Sequence, residues 1–554
     1  MRAFNLLILF SFLCLWSLFP FFLFGQSDRN GDRRVTATYY LSNTTLIPSP
    51  GKILTGQNLL FEDGVIKAVG KNITIPAEAQ EIKGDSLFVY AGFIDMANKT
   101  GMVEPPIPEK PEHFDPSQPI PEIAGIHPHF SALDHFQENN PHDKEWRKLG
   151  FTLAQKLPKG KGMLPGSAAL VMYGHESRNN ILSDNQSLYF KFSTVGGVYP
   201  NTDLGVMAKW RDLIQNARLH EMHGQMYSSQ KDLRRLEKDP VLEALIPVLN
   251  KETPLLIEST GELDIRRALK MQEQDKFNLI ITGINEGESL IPLLKEKQVG
   301  MVLTLDLPED KFSDVAEDKK GADFQHRTER AKKAYLEKLS LPGKFEQAGV
   351  PFGFTTKHLN RTDFLKNIRL MIDNGLSEEG ALAALTVHPA EILKISAIAG
   401  TLSEGKMANM VLMSDTLFSE KAKVIMVISD GYLFDYSEKS NKIKKGDMVW
   451  EYEAETQGGK SKGKWNLTRK DKVWTGTVSY DDPQGGGIKT STIKNAAITE
   501  ASLAFSFTVE VGENTLEVKV SGDVTGESFS GNMEIKGYGN YPVKAKKLEK
   551  PEIK

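Results

Sequence analysis

The stretch Val89-Tyr-Ala-Gly-Phe-Ile-Asp-Met-Ala-Asn-Lys99 is an apolar run that ends in polar residues, and it predicts a strand at the start of the largest domain. Seven further strand-like runs follow before His358. The eight predicted strands are Val89–Met96, Thr152–Leu157, Ala168–Tyr173, Leu188–Thr194, Pro254–Glu258, Asn278–Thr282, Gly300–Leu305 and Pro351–Thr355. Because helical patterns separate most of the later runs, the sequence predicts parallel βα units that close into an eight-stranded barrel.

β-rich segments lie on both sides of the predicted barrel. Residues 36–88 show short apolar alternations separated by turns, and Glu62-Asp63-Gly64 is typical of a hairpin turn. The run from Gly400 to Leu412 returns to strand character. We therefore expect residues 396–438 to rejoin the sheet that residues 36–88 begin, which leaves residues 89–395 for the barrel.

The composition changes again after Lys439. Glycine-rich turns separate alternating strands in residues 446–550, which predicts a separate all-β domain of ordinary size. Trp465 and Trp474 decide between two interpretations of this domain. Exposed on one face, they would suit a module that binds carbohydrate or a surface; buried, they would be core residues.

The segment Thr100–Gly150 is rich in proline and histidine and interrupts the alternation of strands and helices. Insertions of this length in a compact domain are usually functional loops. We expect this one to pack over the mouth of the barrel.

The bulk composition bounds the chemistry. A chain of 554 residues is too long for one ordinary core, and 40% hydrophobic with 25% charged residues is typical of a globular protein. Lysine and arginine number 68 against 72 aspartates and glutamates, and this net charge of −4 gives no electrostatic case for nucleic acid or acidic membranes. The only cysteine is Cys14, so a chain cleaved after it would have no disulfide, thiolate nucleophile or cysteine metal site.

The N-terminal residues predict export. One positive charge at Arg2, an apolar run over residues 6–24 and the small residue Gly25 describe a signal peptide of residues 1–25. We therefore expect a periplasmic or extracellular protein. The alternative is an uncleaved membrane anchor formed by residues 6–24, since that run is nearly long enough to span a bilayer.

Two motifs resemble the amidohydrolase superfamily, and within it the imidazolonepropionase-like proteins. The first is the strand ending Ala91-Gly-Phe-Ile-Asp95. The second is Ala383-Ala-Leu-Thr-Val-His-Pro-Ala-Glu-Ile-Leu393 followed by Gly400-Thr-Leu-Ser-Glu-Gly-Lys-Met-Ala-Asn-Met-Val-Leu412, in which Asn409 replaces the usual aspartate. The resemblance runs from Thr38 to Tyr436. It implies an α/β fold with a (β/α)8 TIM-like barrel beside a two-part β-sandwich, and the all-β domain would be an addition similar to a small or lipocalin-like barrel.

In that family, side chains at the strand ends hold a catalytic divalent metal, and the resemblance implies which positions should supply them. The paired histidines of the first strand correspond to Ala97 and Lys99, and a histidine of the fifth strand corresponds to Glu258. The other positions are Lys191 on the fourth strand, Thr282 or Gly283 on the sixth, and Thr355, Thr356 or Lys357 on the eighth. A methyl group cannot ligate a metal and an ammonium repels one, so we expect no metal cofactor.

His127-Pro-His129 is the alternative metal site, with zinc as the metal. This pair lies in the proline-rich insertion, far along the chain from the first strand and with no apolar run before it. Since the motif lacks the structural context of a paired-histidine metal site, we favour a solvated loop.

Seven ionisable residues are predicted at or near the strand ends, where barrels of this kind bind ligands. They are Asp95, Lys99, Lys191, Glu258, Asp306, Lys357 and His358. Lysines in place of metal ligands suggest a small polar or anionic ligand, or an internal network of ion pairs that fills the vacated site. In the network hypothesis, Lys99 pairs with Glu258.

Two functions follow from these observations. The first is an exported, catalytically impaired relative of the amidohydrolases that binds a ligand or a partner chain, either a second copy of itself or an active homologue. The second is a working hydrolase of C–N bonds in cyclic amides or dipeptides, with a non-standard site built from His127, His129, Glu258 and His358. Metal analysis of the purified protein separates the two.

Overall fold

The structure is a computed structural model that describes residues 38–106, 108–137, 140–174, 180–229, 232–309, 322–437, 448–456, 459–470, 473–481, 487–499, 502–511 and 514–548. The predicted signal peptide and the alternative anchor lie outside these residues. The chain divides into two compact units, Met1–Phe434 and Asp435–Lys554. Within the described part of the chain, no helix has the length and apolar character needed to cross a membrane.

The first unit contains two eight-stranded sheets among its described residues. The strands are β1 (Thr38–Ser49), β2 (Lys52–Glu62), β3 (Val65–Gly70), β4 (Gln80–Lys83), β5 (Phe88–Ala91), β6 (Phe93–Asn98), β7 (Phe151–Lys156), β8 (Gly166–Met172), β9 (Ile181–Lys191), β10 (Leu255–Glu258), β11 (Leu279–Ile284), β12 (Gly300–Thr304), β13 (Phe352–Thr355), β14 (Met410–Met413), β15 (Val424–Ser429) and β16 (Tyr432–Asp435).

Helices connect the later strands and cover the sheet. They are α1 (Pro121–Ala124), α2 (Pro141–Lys148), α3 (Asp203–Ser229), α4 (Pro240–Glu243), α5 (Ile246–Leu249), α6 (Glu262–Asp275), α7 (Ile291–Lys297), α8 (Ala322–Gln347), α9 (Phe364–Asp373), α10 (Glu378–Leu385) and α11 (Val387–Ile392), with 3₁₀ turns at Ala132–His135, Glu288–Leu290 and Arg361–Asp363. Side-chain caps start several of them. Ser377 accepts a hydrogen bond from Gly380 N at the start of α10, as a Ser at an N-cap is expected to do.

Both ends of the first unit contribute to one sheet, with the strand order β16-β15-β14-β5-β1-β2-β3 and β4 paired with β1. Met410 of β14 pairs with Ala91 of β5 in antiparallel register. The prediction that the later segment rejoins the N-terminal strands is therefore confirmed. The predicted first barrel strand is divided at Gly92, because Phe88–Ala91 belongs to this sheet and only Phe93–Asn98 to the barrel.

The barrel sheet has the strand order β13-β12-β11-β10-β9-β8-β7-β6, and all eight runs predicted from the sequence contribute to it. Strands β9 to β13 are parallel, and so are β6 and β7. Apart from the first half of β9, their residues are largely buried, as expected for strands covered on both faces.

One strand departs from the predicted parallel arrangement. Strand β8 is antiparallel to both β7 and β9. Its connections, residues 157–165 and 173–180, are shorter than the crossover of about a dozen or more residues that a parallel pair needs. The expectation of eight parallel βα units was therefore wrong at this strand.

Strands β6 and β13 meet through side chains and close the sheet. Thr356 N donates to Asp95 Oδ1 at 3.1 Å, and Thr355 Oγ1 donates to the carbonyl oxygen of Ala97. Gly353 makes this approach possible, since a Cβ there would overlap Met96 Sδ. The result is a barrel whose first and last strands are joined by buried polar contacts.

The insertion forms one wall of the barrel mouth. Asp143 Oδ1 on α2 accepts a hydrogen bond from Lys156 Nζ at the end of β7 at 2.7 Å, and His142 Nδ1 lies 3.3 Å from Arg361 Nη1 after β13. The expectation that this segment packs over the mouth agrees with these contacts.

The second unit is all β among its described residues. Its strands are β17 (Met448–Thr456), β18 (Gly459–Lys470), β19 (Val473–Asp481), β20 (Ile488–Thr492), β21 (Lys494–Ile498), β22 (Ser502–Val511), β23 (Asn514–Thr525), β24 (Ser528–Ile535) and β25 (Gly539–Leu548), and they form one sheet. Trp465 stacks on Tyr452 with ring centroids 5.1 Å apart and is fully buried, and Trp474 is 6% exposed. The interpretation of these tryptophans as an exposed binding face was therefore wrong; they are core residues.

Candidate functional site

Three strand ends of the barrel bring an ionic cluster together. Glu258 ends β10, Lys357 follows β13, and Tyr189 lies on β9 beside β10. Lys357 Nζ donates to Glu258 Oε1, and Tyr189 OH donates to Glu258 Oε2. Burial alone would raise the pKa of Glu258, but Lys357, Tyr189 and the positive charge of Lys99 lower it. The carboxylate is therefore ionised at neutral pH, with both oxygens bound by donors from the protein.

Lys99 lies above this cluster without joining it. Its Nζ is 5.1 Å from the centre of the Tyr189 ring, and the side chain is half-buried. The prediction that Lys99 pairs with Glu258 was wrong, because Lys357 occupies that carboxylate. Burial and the positive charge of Lys357 lower the pKa of Lys99 to about 8.

Asp95 lies below the mouth and does not face it. Its carboxylate accepts hydrogen bonds from Ala97 N at 3.2 Å, Asn98 Nδ2 at 2.8 Å and Thr356 N at 3.1 Å, and from Thr356 Oγ1. Burial raises the pKa of Asp95, and these four donors oppose that rise. The residue therefore joins β6 to β13, and its predicted contribution to the mouth is structural.

A second buried charge, Lys156, was not among the predicted residues. Its Nζ is fully buried at the end of β7 and donates to Asp143 Oδ1 at 2.7 Å, Thr100 O at 3.0 Å and Tyr173 OH at 3.0 Å, with Asn98 Oδ1 at 3.3 Å. Burial lowers the pKa of Lys156 and raises that of Asp143, and the attraction between the two opposes both shifts. The pair ties the insertion to the barrel.

The other predicted mouth residues have different surroundings. Lys191 donates to Gly160 O at 2.7 Å, and burial lowers its pKa. Asp306 is exposed beyond β12. His358 is exposed, has a φ of 68°, and has a lowered pKa because of partial burial and the neighbouring charge of Lys357. Of these three, only His358 faces the cleft described next.

A cleft of about 450 Å³ opens beside the ionic cluster, between the ends of β6 and β13 and the insertion. We call it the mouth cleft. Its lining residues are Asn98, Lys99, Thr100, Gly101, Met102, Gln137, Asn140, His142, Trp146, Lys159, Thr356, Lys357, His358, Leu359 and Arg361. Four of these side chains are lysines or arginines, two are histidines, and none is acidic. Its size lies within the range of small-molecule sites.

The alternative histidine site lacks the donors of a metal centre. The rings of His127 and His129 pack against Phe130, with centroids 4.8 Å and 4.7 Å away. Within the described ranges, no three His, Cys, Asp or Glu side chains are grouped closely enough to hold a metal. His127 Nδ1 is buried without a hydrogen-bond partner, and burial lowers the pKa of that ring.

The chemistry of the donors at the barrel mouth does not fit a divalent ion. The positions implied for the first strand are a methyl group, Ala97, and an ammonium, Lys99. The one carboxylate, Glu258, already forms an ion pair with Lys357, and the buried hydroxyl of Thr282 is a weak neutral donor. A cation there would face the charges of Lys99 and Lys357.

The residues that sequence reasoning missed carry recognisable signals. Lys156 interrupts the apolar run Thr152–Leu157, and a lysine inside a buried strand needs a partner. Tyr189 is two residues before Lys191 on β9, and residues two apart in a strand point to the same side. Lys159 lies in the loop after β7 and Arg361 begins the 3₁₀ turn after β13, and no local pattern distinguishes either residue.

Comparisons with known proteins agree with the fold. The Amidohydrolase family matches residues 325–434. A crystal structure of an amidohydrolase from Thermotoga maritima is similar at a TM-score of 0.58 and 22% identity, covering 71% of this chain and 99% of that one. A prolidase in complex with N-methylphosphonate-L-proline is similar at 0.45 and 15%, covering 72% and 100%. The ochratoxinase of A. niger is similar at 0.42 and 13%, covering 73% and 96%.

No match was found among curated proteins. The predicted resemblance to the amidohydrolase superfamily is confirmed by the family match and by the Thermotoga structure. At this level of identity the structural similarity establishes the fold, a TIM-like barrel with an additional β-rich region, and leaves the activity to be proposed.

Proposed function

We propose that this protein is a non-hydrolytic relative of the amidohydrolases whose mouth cleft binds a small anionic ligand. The observation that carries the proposal is the ion pair between Lys357 and Glu258. It neutralises the one carboxylate of the cluster and leaves Lys99 facing the mouth cleft. A site of this kind attracts anions and repels divalent cations.

The loss of hydrolysis follows from the chemistry of water. A catalytic metal lowers the pKa of its bound water from 15.7 to about 7 and so supplies hydroxide at neutral pH. Without that metal and without a free carboxylate base, the cluster of Glu258, Lys357 and Tyr189 cannot supply the usual enzymatic acceleration of hydrolysis, which is at least ~10⁶-fold. The alternative of an active hydrolase with a non-standard site would need donors other than Ala97, Lys99 and Lys357.

Binding measurements test the proposal. We expect inorganic phosphate to bind the full-length protein by calorimetry and to raise its melting temperature, since a ligand that binds only the folded state stabilises it. Lys159→Gln, which removes one charge from the mouth cleft, should weaken binding about 3- to 10-fold. Lys333→Gln is the matched control, because Lys333 is exposed on α8 and does not line the cleft. Equal phosphate affinity in all three proteins would contradict the proposal.

Export and assembly are further parts of the proposal. We propose a periplasmic or extracellular protein with residues 1–25 removed, which N-terminal sequencing of the mature chain tests. We also propose that the chain dimerises, with itself or with an active homologue of the same fold, and that the all-β unit is a lipocalin-like small barrel that assists docking. Light scattering of the protein with and without residues 446–550 tests the assembly.

A further inference from the structure

We propose that the anionic ligand carries a reactive carbonyl group, and that Lys99 binds it covalently as an imine. The ligand class is then a 2-oxo acid or an anionic aldehyde. This inference rests on the proposed function, because the anionic group of such a ligand would be held by the other cations of the mouth cleft.

Lys99 differs from the neighbouring lysines in what its amine contacts. Lys357 donates to Glu258, Lys191 donates to the carbonyl oxygen of Gly160, and Lys156 donates to Asp143. Among the described residues, Lys99 Nζ has no hydrogen-bond acceptor and no carboxylate within ion-pair distance. The amine can therefore lose its proton without breaking a contact that holds the structure.

The surroundings of Lys99 favour the neutral amine. The side chain is half-buried, and Lys357 and Lys191 add positive charge nearby. The pKa of about 8 that results leaves a large part of this amine unprotonated at slightly alkaline pH. A lysine that is desolvated and placed beside other cations is activated as a nucleophile in the same way.

The reaction balances with water as its only by-product. The Nζ lone pair attacks the carbonyl carbon, the C–N bond forms as the carbonyl π bond breaks, and one of the two amine protons passes to the carbonyl oxygen to give a carbinolamine. The hydroxyl then takes a second proton from solvent and leaves as water when the C–O bond breaks, and the nitrogen returns its remaining proton to solvent in the open cleft. No oxidant, reductant or metal is consumed. Burial and the charge of Glu258 raise the pKa of Tyr189 well above its ordinary value, so this phenol stays protonated beneath the amine.

Glyoxylate with sodium cyanoborohydride is the probe for this imine. Reduction of the imine leaves a carboxymethyl group on the modified lysine, which peptide mass spectrometry locates. At pH 8 the free-amine fraction of Lys99 exceeds that of an ordinary lysine about 100-fold. A less basic amine is also a weaker nucleophile, which offsets part of this gain. We therefore expect Lys99 of the full-length protein to be labelled at least about 10-fold faster than the average lysine. We also expect inorganic phosphate to slow that labelling.

Two variants make the test specific. Lys99→Arg keeps the charge but cannot form an imine, so fast labelling should disappear. Lys333→Arg, at an exposed position outside the mouth cleft, keeps both the charge and Lys99, so fast labelling should remain. Circular dichroism confirms that each variant is folded.

The outcomes separate this inference from the proposed function. Labelling of Lys99 no faster than that of exposed lysines, in a protein that binds phosphate, overturns the imine and leaves anion binding intact. Fast labelling of a protein that does not bind phosphate overturns the proposed anion site, and with it the inference that an anionic carbonyl compound is the ligand. Fast labelling that phosphate does not slow would mean that the carbonyl compound reacts with Lys99 without its anionic group being held by the cations of the mouth cleft. This outcome also overturns the inference.

Discussion

Lys357 donates a hydrogen bond to Glu258 across the barrel mouth and thereby joins the end of β13 to the end of β10. The resemblance to the amidohydrolases implies a metal ligand at the position of Glu258, and another at Thr355, Thr356 or Lys357. In this protein Glu258 and Lys357 carry opposite charges that satisfy each other. Since Tyr189 binds the second carboxylate oxygen, the cluster is complete without a cation.

The first prediction concerns the charge of Glu258. Glu258→Gln removes the one negative charge of the cluster, so the mouth cleft becomes more positive by one unit. Phosphate affinity should rise about 3- to 10-fold, because two unit charges near a protein surface interact by one or more kcal/mol at this range. Titration calorimetry measures the change.

Tyr189→Phe is the control for that variant, because it removes a hydrogen bond to Glu258 and leaves the charges unchanged. Its phosphate affinity should stay within about 2-fold of the parent value on the same electrostatic argument. Weaker phosphate binding in Glu258→Gln would mean that Glu258 holds the ligand directly, which is contrary to an anion site formed by the cations of the mouth cleft.

The second prediction is a pH dependence of anion binding. The ionisable groups that act on Lys99 are Lys357 and Lys191, which lower its pKa, and Glu258 and Glu104, which raise it. As the pH rises from 7 to 9 through the pKa of about 8, Lys99 loses its charge and anion affinity should fall. We expect a loss of about 3- to 10-fold with a monovalent sulfonate, whose charge is constant in this range.

Lys99→Arg should flatten that pH profile, since a guanidinium stays charged throughout. A profile with the same midpoint in the variant would assign the titration to another group, and the interpretation of Lys99 would then be wrong.

The third prediction concerns the buried pair Lys156–Asp143. Lys156→Met leaves Asp143 without its partner in a largely buried position, and it should lower the free energy of unfolding by about 3–5 kcal/mol. Urea denaturation followed by circular dichroism measures this loss. Lys159→Met, at a half-buried position of the next loop, should change stability by less than about 1 kcal/mol. Similar losses in both variants would show that the network around Lys156 is not what holds the insertion.

The fourth prediction concerns the contact that closes the barrel. Asp95→Asn cannot accept the same four hydrogen bonds, and it should cost about 1–3 kcal/mol of unfolding free energy because a buried donor is left unpaired. Asp306→Asn is the matched change at an exposed strand end, and it should stay within about 0.5 kcal/mol of the parent. If Asp95→Asn is equally neutral in thermal melts, the joint between β6 and β13 does not depend on that carboxylate.

The strands of the barrel could be predicted because each is a local apolar run, and a run such as Gly300–Leu305 is buried whatever lies beside it. The direction of β8 could not be predicted from apolar content. That direction depends on the lengths of the two connections, and the apolar pattern of Ala168–Tyr173 carries no information about them. The division at Gly92 has a similar origin, since one continuous run serves two sheets.

The location of the candidate site at the strand ends could be predicted from the sequence, but most of its side-chain contacts could not. Glu258 and Lys357 follow from their positions at strand ends, but the choice of Lys357 over Lys99 as the partner depends on side-chain geometry across the barrel. Lys156 finds Asp143 in the insertion, and no pattern within either segment indicates the other. Asp95 was predicted at a strand end, but it lies inside β6 and points into the joint between β6 and β13.

Whether an ion pair has replaced the metal is decided by the zinc content of the full-length protein, purified without chelators and then incubated with zinc. We expect less than stoichiometric zinc after gel filtration, no change of melting temperature on adding EDTA, and no zinc-dependent hydrolysis of a dipeptide or cyclic amide. One tightly held ion per chain that is lost from the Glu258→Gln variant would show that the barrel mouth is still a metal site.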